Sequence, residues 1–318
     1  MVDFSVVICT YNGASRLPRV LERLRSQYCT DPISWEILIV DNNSSDATAL
    51  VVQSYQQQPW DIQLRYLFEP QQGLAYARRC AVRVAQGKWI GFLDDDTLPA
   101  LNWLASAYRF SQQHPEAGAF GGRICGWFEA PPPLNFERIA SCLAVIDRGE
   151  FAFAYSAGRG VLPAGAGMVI NTAAWRQCVA AQPWLAGVRG TSLASKGEDV
   201  ETLSYIRQAG YPIWYNPQMQ LLHHIAPERL QSEYLMRMFR GIGLSRYPLR
   251  MLGRRSWQRP LLLLLHGLND ARRLGQHLLR RRQSLHQQDL VSQCELMLYW
   301  SSLVSPLHYW RRYLRQRS

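Results

Sequence analysis

Lysine is nearly missing from this chain. Of 35 basic residues only Lys88 and Lys196 are lysines, so almost all positive charge is guanidinium. Paired cysteines are missing too: the seven, at 9, 29, 80, 125, 142, 178 and 294, include no C-x-x-C spacing and are odd in number. That argues against a disulfide framework or a zinc site, and for a reducing, cytoplasmic compartment. No basic segment followed by an apolar core opens the sequence, and a secretory signal is not expected. No G-x-G-x-x-G follows the first strand-like run, which excludes a dinucleotide-dependent dehydrogenase. "CTYNGASRLP", where that run ends, has too little glycine for the Gly-rich basic loop of a nucleotidyltransferase. Neither an internal repeat nor a low-complexity tract is present.

What is there fits a globular protein with a sizeable core: 318 residues, 47% hydrophobic and 19% charged. Charge is unevenly placed. Residues 1–228 hold 18 Lys+Arg against 20 Asp+Glu, while residues 229–318 hold 17 against 4, giving −2 and +13 of the total +11. We therefore expect a domain over 1–228 and a basic, Leu/Arg-rich helical extension over 229–318. The five-leucine run 261–265 is far too short to span a bilayer, which takes roughly 20 apolar residues. Two readings of the extension stay open: an interfacial helix giving peripheral membrane contact, or an appendage packed on the first domain with its arginines in water. Nucleic acid is not an expected partner, because no recognised motif accompanies the charge.

The first half alternates β-rich runs with helical patterns. "FSVVICTYN" (4–12), "WEILIVDN" (35–42), "IQLRYLFE" (62–69) and "WIGFLD" (89–94) read as strands, with helices over 18–27, 73–87 and 101–115. Ser45 or Asp46 can cap a further helix. This order predicts an α/β fold with a mostly parallel, doubly wound sheet flanked by helices. "AFGGRI" (119–124) reads as another strand, "LPAGAGMVINTAAW" (162–175) as strand then helix, "GEDVETLSYIRQAG" (197–210) as a helix, and "PIWYNPQMQLLHH" (212–224) as two short strands.

In such a sheet, ligands bind beyond the carboxyl ends of the strands. Three polar groups fall there: Thr10, Tyr11 and Asn12 after the first strand, Asp41 at the end of the second, and Asp94, Asp95 and Asp96 at the end of the fourth. Three adjacent carboxylates repel one another and call for a positive partner. A hard divalent cation, Mg²⁺ or Mn²⁺, suits carboxylate oxygens and leaves positions open for phosphates. In extended backbone Asp94 and Asp96 share a side, and Asp95 should turn to solvent or to the backbone. Glu198 and Asp199 open a helix, where the dipole favours acids and a carboxylate is also well fixed to act as a base. Gly165 and Gly167 allow either close approach of a ligand or a strand bulge.

"SVVICTYNG", "EILIVDNNSSD", "GLAYARRCAVRVAQGKWIGFLDDD" and "GEDVE", in that order, resemble the inverting family 2 glycosyltransferases over about residues 3–225. A weaker likeness is to cyanobacterial members assigned to hormogonium polysaccharide synthesis. The resemblance implies a GT-A fold and a metal-dependent transfer from a nucleoside-diphosphate sugar, a UDP-sugar favoured, to a glycan or lipid-linked acceptor. It implies that Thr10, Tyr11 and Asn12 line the nucleotide pocket, that Asp41 bonds the nucleobase, and that Arg78 lies near the diphosphate. Asp94 would sit nearer the ribose and share the metal with Asp96, and Asp199 would be the catalytic base. His223 or His224 would add a metal or diphosphate contact, His223 being preferred. Arg79 stands where the family often has Asn. The competing readings are a nucleotidyltransferase-like enzyme and a glycan- or membrane-binding scaffold without catalysis; the presence of Asp94, Asp96 and Asp199 together speaks against the scaffold.

Overall fold

A computed structural model of the chain describes residues 2–156, 162–190, 192–193, 196–283 and 289–315. Its strands are β1 (Phe4–Thr10), β2 (Trp35–Asp41), β3 (Gln63–Phe68), β4 (Trp89–Asp94), β5 (Thr97–Pro99), β6 (Ala119–Phe128), β7 (Phe153–Ala154), β8 (Val169–Asn171) and β9 (Ile213–Ile225). They form one sheet in the order β3-β2-β1-β4-β8-β6-β9-β5, with β7 also on β9. The pairs among β3, β2, β1 and β4 are parallel, as expected from their helical crossovers. Beyond β4 the sheet becomes mixed. The β4–β8, β8–β6, β9–β5 and β9–β7 pairs are antiparallel, and only β6–β9 is parallel. The expectation of a mostly parallel sheet thus holds for its first half alone.

Helices α1 (Leu17–Arg25), α2 (Thr48–Gln56) and α4 (Trp103–Gln113) cover one face; α3 (Leu74–Val84), α5 (Thr172–Cys178) and α6 (Glu198–Gln208) cover the other. Strand alternation divides the core between them. Phe4, Val6 and Ile8 of β1 join the first cluster, and Val7 and Cys9 the second. "PIWYNPQMQLLHH" is one strand rather than two, but it is irregular. Its register against β6 jumps between Gly122 and Arg123, so that Gly122 faces Asn216 and Arg123 faces Gln220. The intervening Pro217 cannot donate to a ladder, which is why the sequence reads as broken there.

The extension folds as α7 (Ser232–Leu244), α8 (Arg246–Met251), α9 (Arg259–Gln283) and α10 (Leu290–Arg315). It does not keep its own core. Leu235, Met238 and Phe239 of α7 and Val291 and Cys294 of α10 pack with Phe136, Leu143, Leu193 and Ile225 from the other side of residue 228.

Candidate active site

The turn after β4 is fixed by Thr97, whose hydroxyl accepts from the Asp94 amide (3.1 Å) and donates to the Asp94 carbonyl (2.8 Å). Each of the three carboxylates it carries then meets its own arginine. Asp95 takes two bonds from Arg16, both 2.9 Å, and one from the Thr10 hydroxyl at 2.6 Å. Asp96 Oδ2 takes one from Arg229 at 2.6 Å. Asp94 Oδ1 lies 3.8 Å from Arg78. Asp95 therefore turns to Arg16 and Thr10, not to solvent or backbone. Burial raises the affinity of Asp94 and of Asp95 for a proton, against Arg78 and Arg16 respectively, and Asp96 adds repulsion to both. At Asp96 burial is outweighed by His223 and Arg229, and its carboxyl titrates well below the usual range.

His223 reaches the acidic turn through register. β5 runs antiparallel to β9 with Thr97 opposite His223, and the His224 amide donates to the Asp96 carbonyl at 2.9 Å. His223 Nε2 lies 3.6 Å from Asp96 Oδ2 and 3.0 Å from Arg229 Nη1. Arg229 thus takes the gap between Asp96 and His223 in which the sequence reading places a cation. His224 lines the same cavity as His223, with its ring held by Glu129 at 2.6 Å and packed against the Trp127 ring.

Arg78 is nearly fully buried on the inner side of α3. It bonds Glu198 at 3.3 Å and lies over the Phe92 ring. Burial opposes its charge, but Glu198, Asp94 and Asp199 more than restore it, and its proton is held more tightly than usual. Gly165 makes the room: a Cβ there would lie 2.5 Å from the guanidinium. Its role is space for Arg78. α6 starts at Gly197, whose φ of 108° suits glycine alone. Burial and the neighbouring Asp199 push the Glu198 carboxyl up to about 7, against Arg78. Asp199 Oδ2 accepts from the Gly165 amide (2.8 Å) and Oδ1 from the Val200 amide (2.8 Å), so its carboxylate is held on both oxygens.

One cavity of about 770 Å³ is lined by Thr10, Tyr11, Arg78, all three aspartates of the turn, Asp199, His223 and Arg229. Asn12 and Asp41 are not in that lining. Asn12 ties the loops after β1 and β2 together, its amide bonded to Ser44 and its side chain to the Ser45 amide. Asp41 is buried, with its oxygens taken by the Ser44 amide and the Tyr66 hydroxyl, both at 2.8 Å. Asn42, next in sequence, lines the cavity instead. Arg79 bonds the Ala180 carbonyl, away from the acidic turn. Sequence reasoning missed Arg16 and Arg229. The second was counted only as the first charge of the tail, although it stands one turn beyond the strand that carries His223.

The sheet order, the acidic turn closing β4 and the cavity over the strand ends define a glycosyltransferase fold of the GT-A type. Residues 5–153 match the family described as Glycosyl transferase family 2. TuaG of Bacillus subtilis, a putative teichuronic acid biosynthesis glycosyltransferase, is 31% identical over 161 residues, covering 46% of this chain and 62% of that one. The Escherichia coli UDP-Glc:alpha-D-GlcNAc-diphosphoundecaprenol beta-1,3-glucosyltransferase WfgD is 25% identical over 155 residues, covering 45% and 58%. This chain thus spans about three fifths of either relative's length. The solved mannosyltransferase PcManGT of Pyrobaculum calidifontis, in complex with GDP-Man and Mn²⁺, is alike in fold, with a TM-score of 0.61 at 18% identity over 95% of this chain and 86% of that one.

Proposed function

We propose that this chain transfers a sugar, with inversion, from a nucleoside-diphosphate donor to a hydroxyl of a glycan or lipid-linked acceptor in polysaccharide synthesis. A UDP-sugar is the favoured donor. The carrying observation is that Asp94, Asp96, Arg78 and Asp199, from three separate stretches of sequence, line one cavity. WfgD, whose name specifies a UDP-glucose donor and a lipid-diphosphate-linked acceptor, supports the substrate classes.

The residues fit a divalent cation in part. Asp96 Oδ1 is buried and has no hydrogen-bond partner among the described residues, as an oxygen kept for a ligand would be. Those residues include no cluster of three metal-ligating side chains. Mg²⁺ or Mn²⁺ bound through one or two carboxylates and the donor's own phosphates needs none. Asp94 and Asp96 would hold it, with His223 beside them once Arg229 withdraws. The cation supplies charge neutralisation for the departing diphosphate.

Arg78 adds fixed positive charge in the same cavity, already oriented by Glu198 and Gly165, so little reorganisation is needed as charge develops. Asp199 takes the proton of the attacking acceptor hydroxyl, and its two amide bonds hold it in place. The acceptor oxygen displaces the nucleoside diphosphate in one step, which inverts the sugar carbon and needs no enzyme nucleophile. With a lipid-linked acceptor the reaction sits at the cytoplasmic face of the plasma membrane. Asp199→Asn tests the base. We expect acceptor-dependent nucleotide release to fall roughly 10²–10⁴-fold while nucleotide binding persists; unchanged turnover would remove the assignment.

A further inference from the structure

Helix α9 is built inside out. Leu261, Leu264, Leu265 and Leu268, at i, i+3, i+4 and i+7, are 58%, 60%, 52% and 61% exposed, and Leu279 continues the stripe. The opposite side packs inward and carries polar groups beside the half-buried Leu274. Asp270 is buried and paired with Arg250 of α8 at 2.8 Å, and His277 bonds the Ser292 carbonyl of α10 at 3.0 Å. A helix at rest in water does the reverse. A contiguous exposed apolar face of this kind marks a contact surface.

What surrounds the stripe selects the contact. Trp257, just ahead of α9, is exposed. Arg254, Arg255, Arg259, Arg272 and Arg273 are exposed as well, and none has a carboxylate within ion-pair distance among the described residues. Arg272 lies in line with the leucines, four residues after Leu268. In a two-fold contact between copies the same patch faces itself, and these arginines would meet like charges. An anionic lipid surface offers the opposite: acyl chains for the leucines, a boundary layer for tryptophan, and negative headgroups for unpaired guanidinium. Among the described residues no helix is long and apolar enough to cross a membrane. We propose that the outward face of α9 is a membrane-docking surface for anionic lipid, lying on the bilayer rather than through it.

The surface is mechanically tied to the cavity. Arg246 and Leu249 of α8 line the cavity, and Arg250 of the same helix holds Asp270 of α9. Docking through α9 would therefore set the cavity close to the lipid layer, which suits an acceptor carried on a lipid. That last step rests on the acceptor reading above; the docking itself does not.

The test is sedimentation of the full chain with vesicles of phosphatidylcholine alone and of phosphatidylcholine with about one third phosphatidylglycerol. We expect binding to the anionic vesicles, weakened by salt, and much less to the neutral ones. Leu264→Glu/Leu268→Glu should lower binding roughly ten-fold or more. Leu50→Glu, an exposed leucine of α2, should leave it unchanged. Both variants should melt like the parent and keep its nucleotide binding, which separates lost docking from lost folding or a failed catalytic reading. Equal binding by the double variant would overturn the proposal, as would absence of binding to both vesicle types. So would a dimer in sedimentation velocity that the double substitution dissolves, which would make the face an interface between copies.

Discussion

Glu198 and Arg229 are the two side chains whose surroundings make the sharpest claims. Glu198 keeps its proton up to about 7 in the folded chain, against an ordinary value of 4.5. Between these the folded state binds more protons than the unfolded one, so stability must fall as pH rises through that window. At about 1.4 kcal/mol per pH unit the loss is on the order of 3 kcal/mol. Thermal unfolding from pH 4.5 to 8 should show this decline in the parent and a flatter profile in Glu198→Gln; parallel profiles would contradict it. In the proposed metal site, Arg229 would compete with the cation for Asp96 Oδ2. Arg229→Gln should bind Mn²⁺ roughly ten-fold more tightly in the presence of nucleoside diphosphate, read from the free-Mn²⁺ paramagnetic signal, since a charged hydrogen bond is worth about 1.5–3 kcal/mol. Unchanged affinity would mean the two do not compete. Asp94, Asp96 and Asp199 could be singled out because they close a strand or open a helix, whereas Arg78, inside α3, came only from the family resemblance. Arg16 and Arg229 could not, since an arginine reads alike whether it faces water or a carboxylate 79 or 133 residues away.

Strands and helices up to β4 follow from apolar runs and their punctuation, and the reading there holds nearly to the residue. Past β4 it misses β5 and β7 altogether, and it gives the wrong pairing direction for most of the rest. β8 is only three residues long and β5 likewise, too short for periodicity to show a direction. The β9 irregularity depends on Gly122. A Cβ there would lie 1.9 Å from the Met219 carbonyl oxygen, which belongs to the backbone and cannot step aside. Gly122→Ala should cost about 2 kcal/mol or more in thermal unfolding; a neutral result would mean that the bulge shifts freely. At Gly165 the neighbour is the buried Arg78 guanidinium, 2.5 Å from an added Cβ, so Gly165→Ala should displace it and weaken donor-nucleotide binding, seen by calorimetric titration.

Across the chain as a whole, composition located the extension but not its attachment. The charge step at 228/229 is real, yet the third core cluster runs across it, because Leu235, Phe239 and Val291 meet Phe136 and Leu143 only in three dimensions. Residues 1–228 alone should therefore expose that cluster and lose cooperative unfolding, checked by calorimetry against the full chain. The central claim is that the acidic turn of β4 serves a metal-assisted attack on a nucleotide sugar. Its most direct test incubates purified protein with a panel of nucleotide sugars, with Mn²⁺ or with chelator, and measures nucleoside diphosphate release. The account predicts release from one class of donor, abolished by chelator and by Asp96→Asn; release indifferent to both, or none from any donor with an acceptor glycan or lipid present, would contradict it.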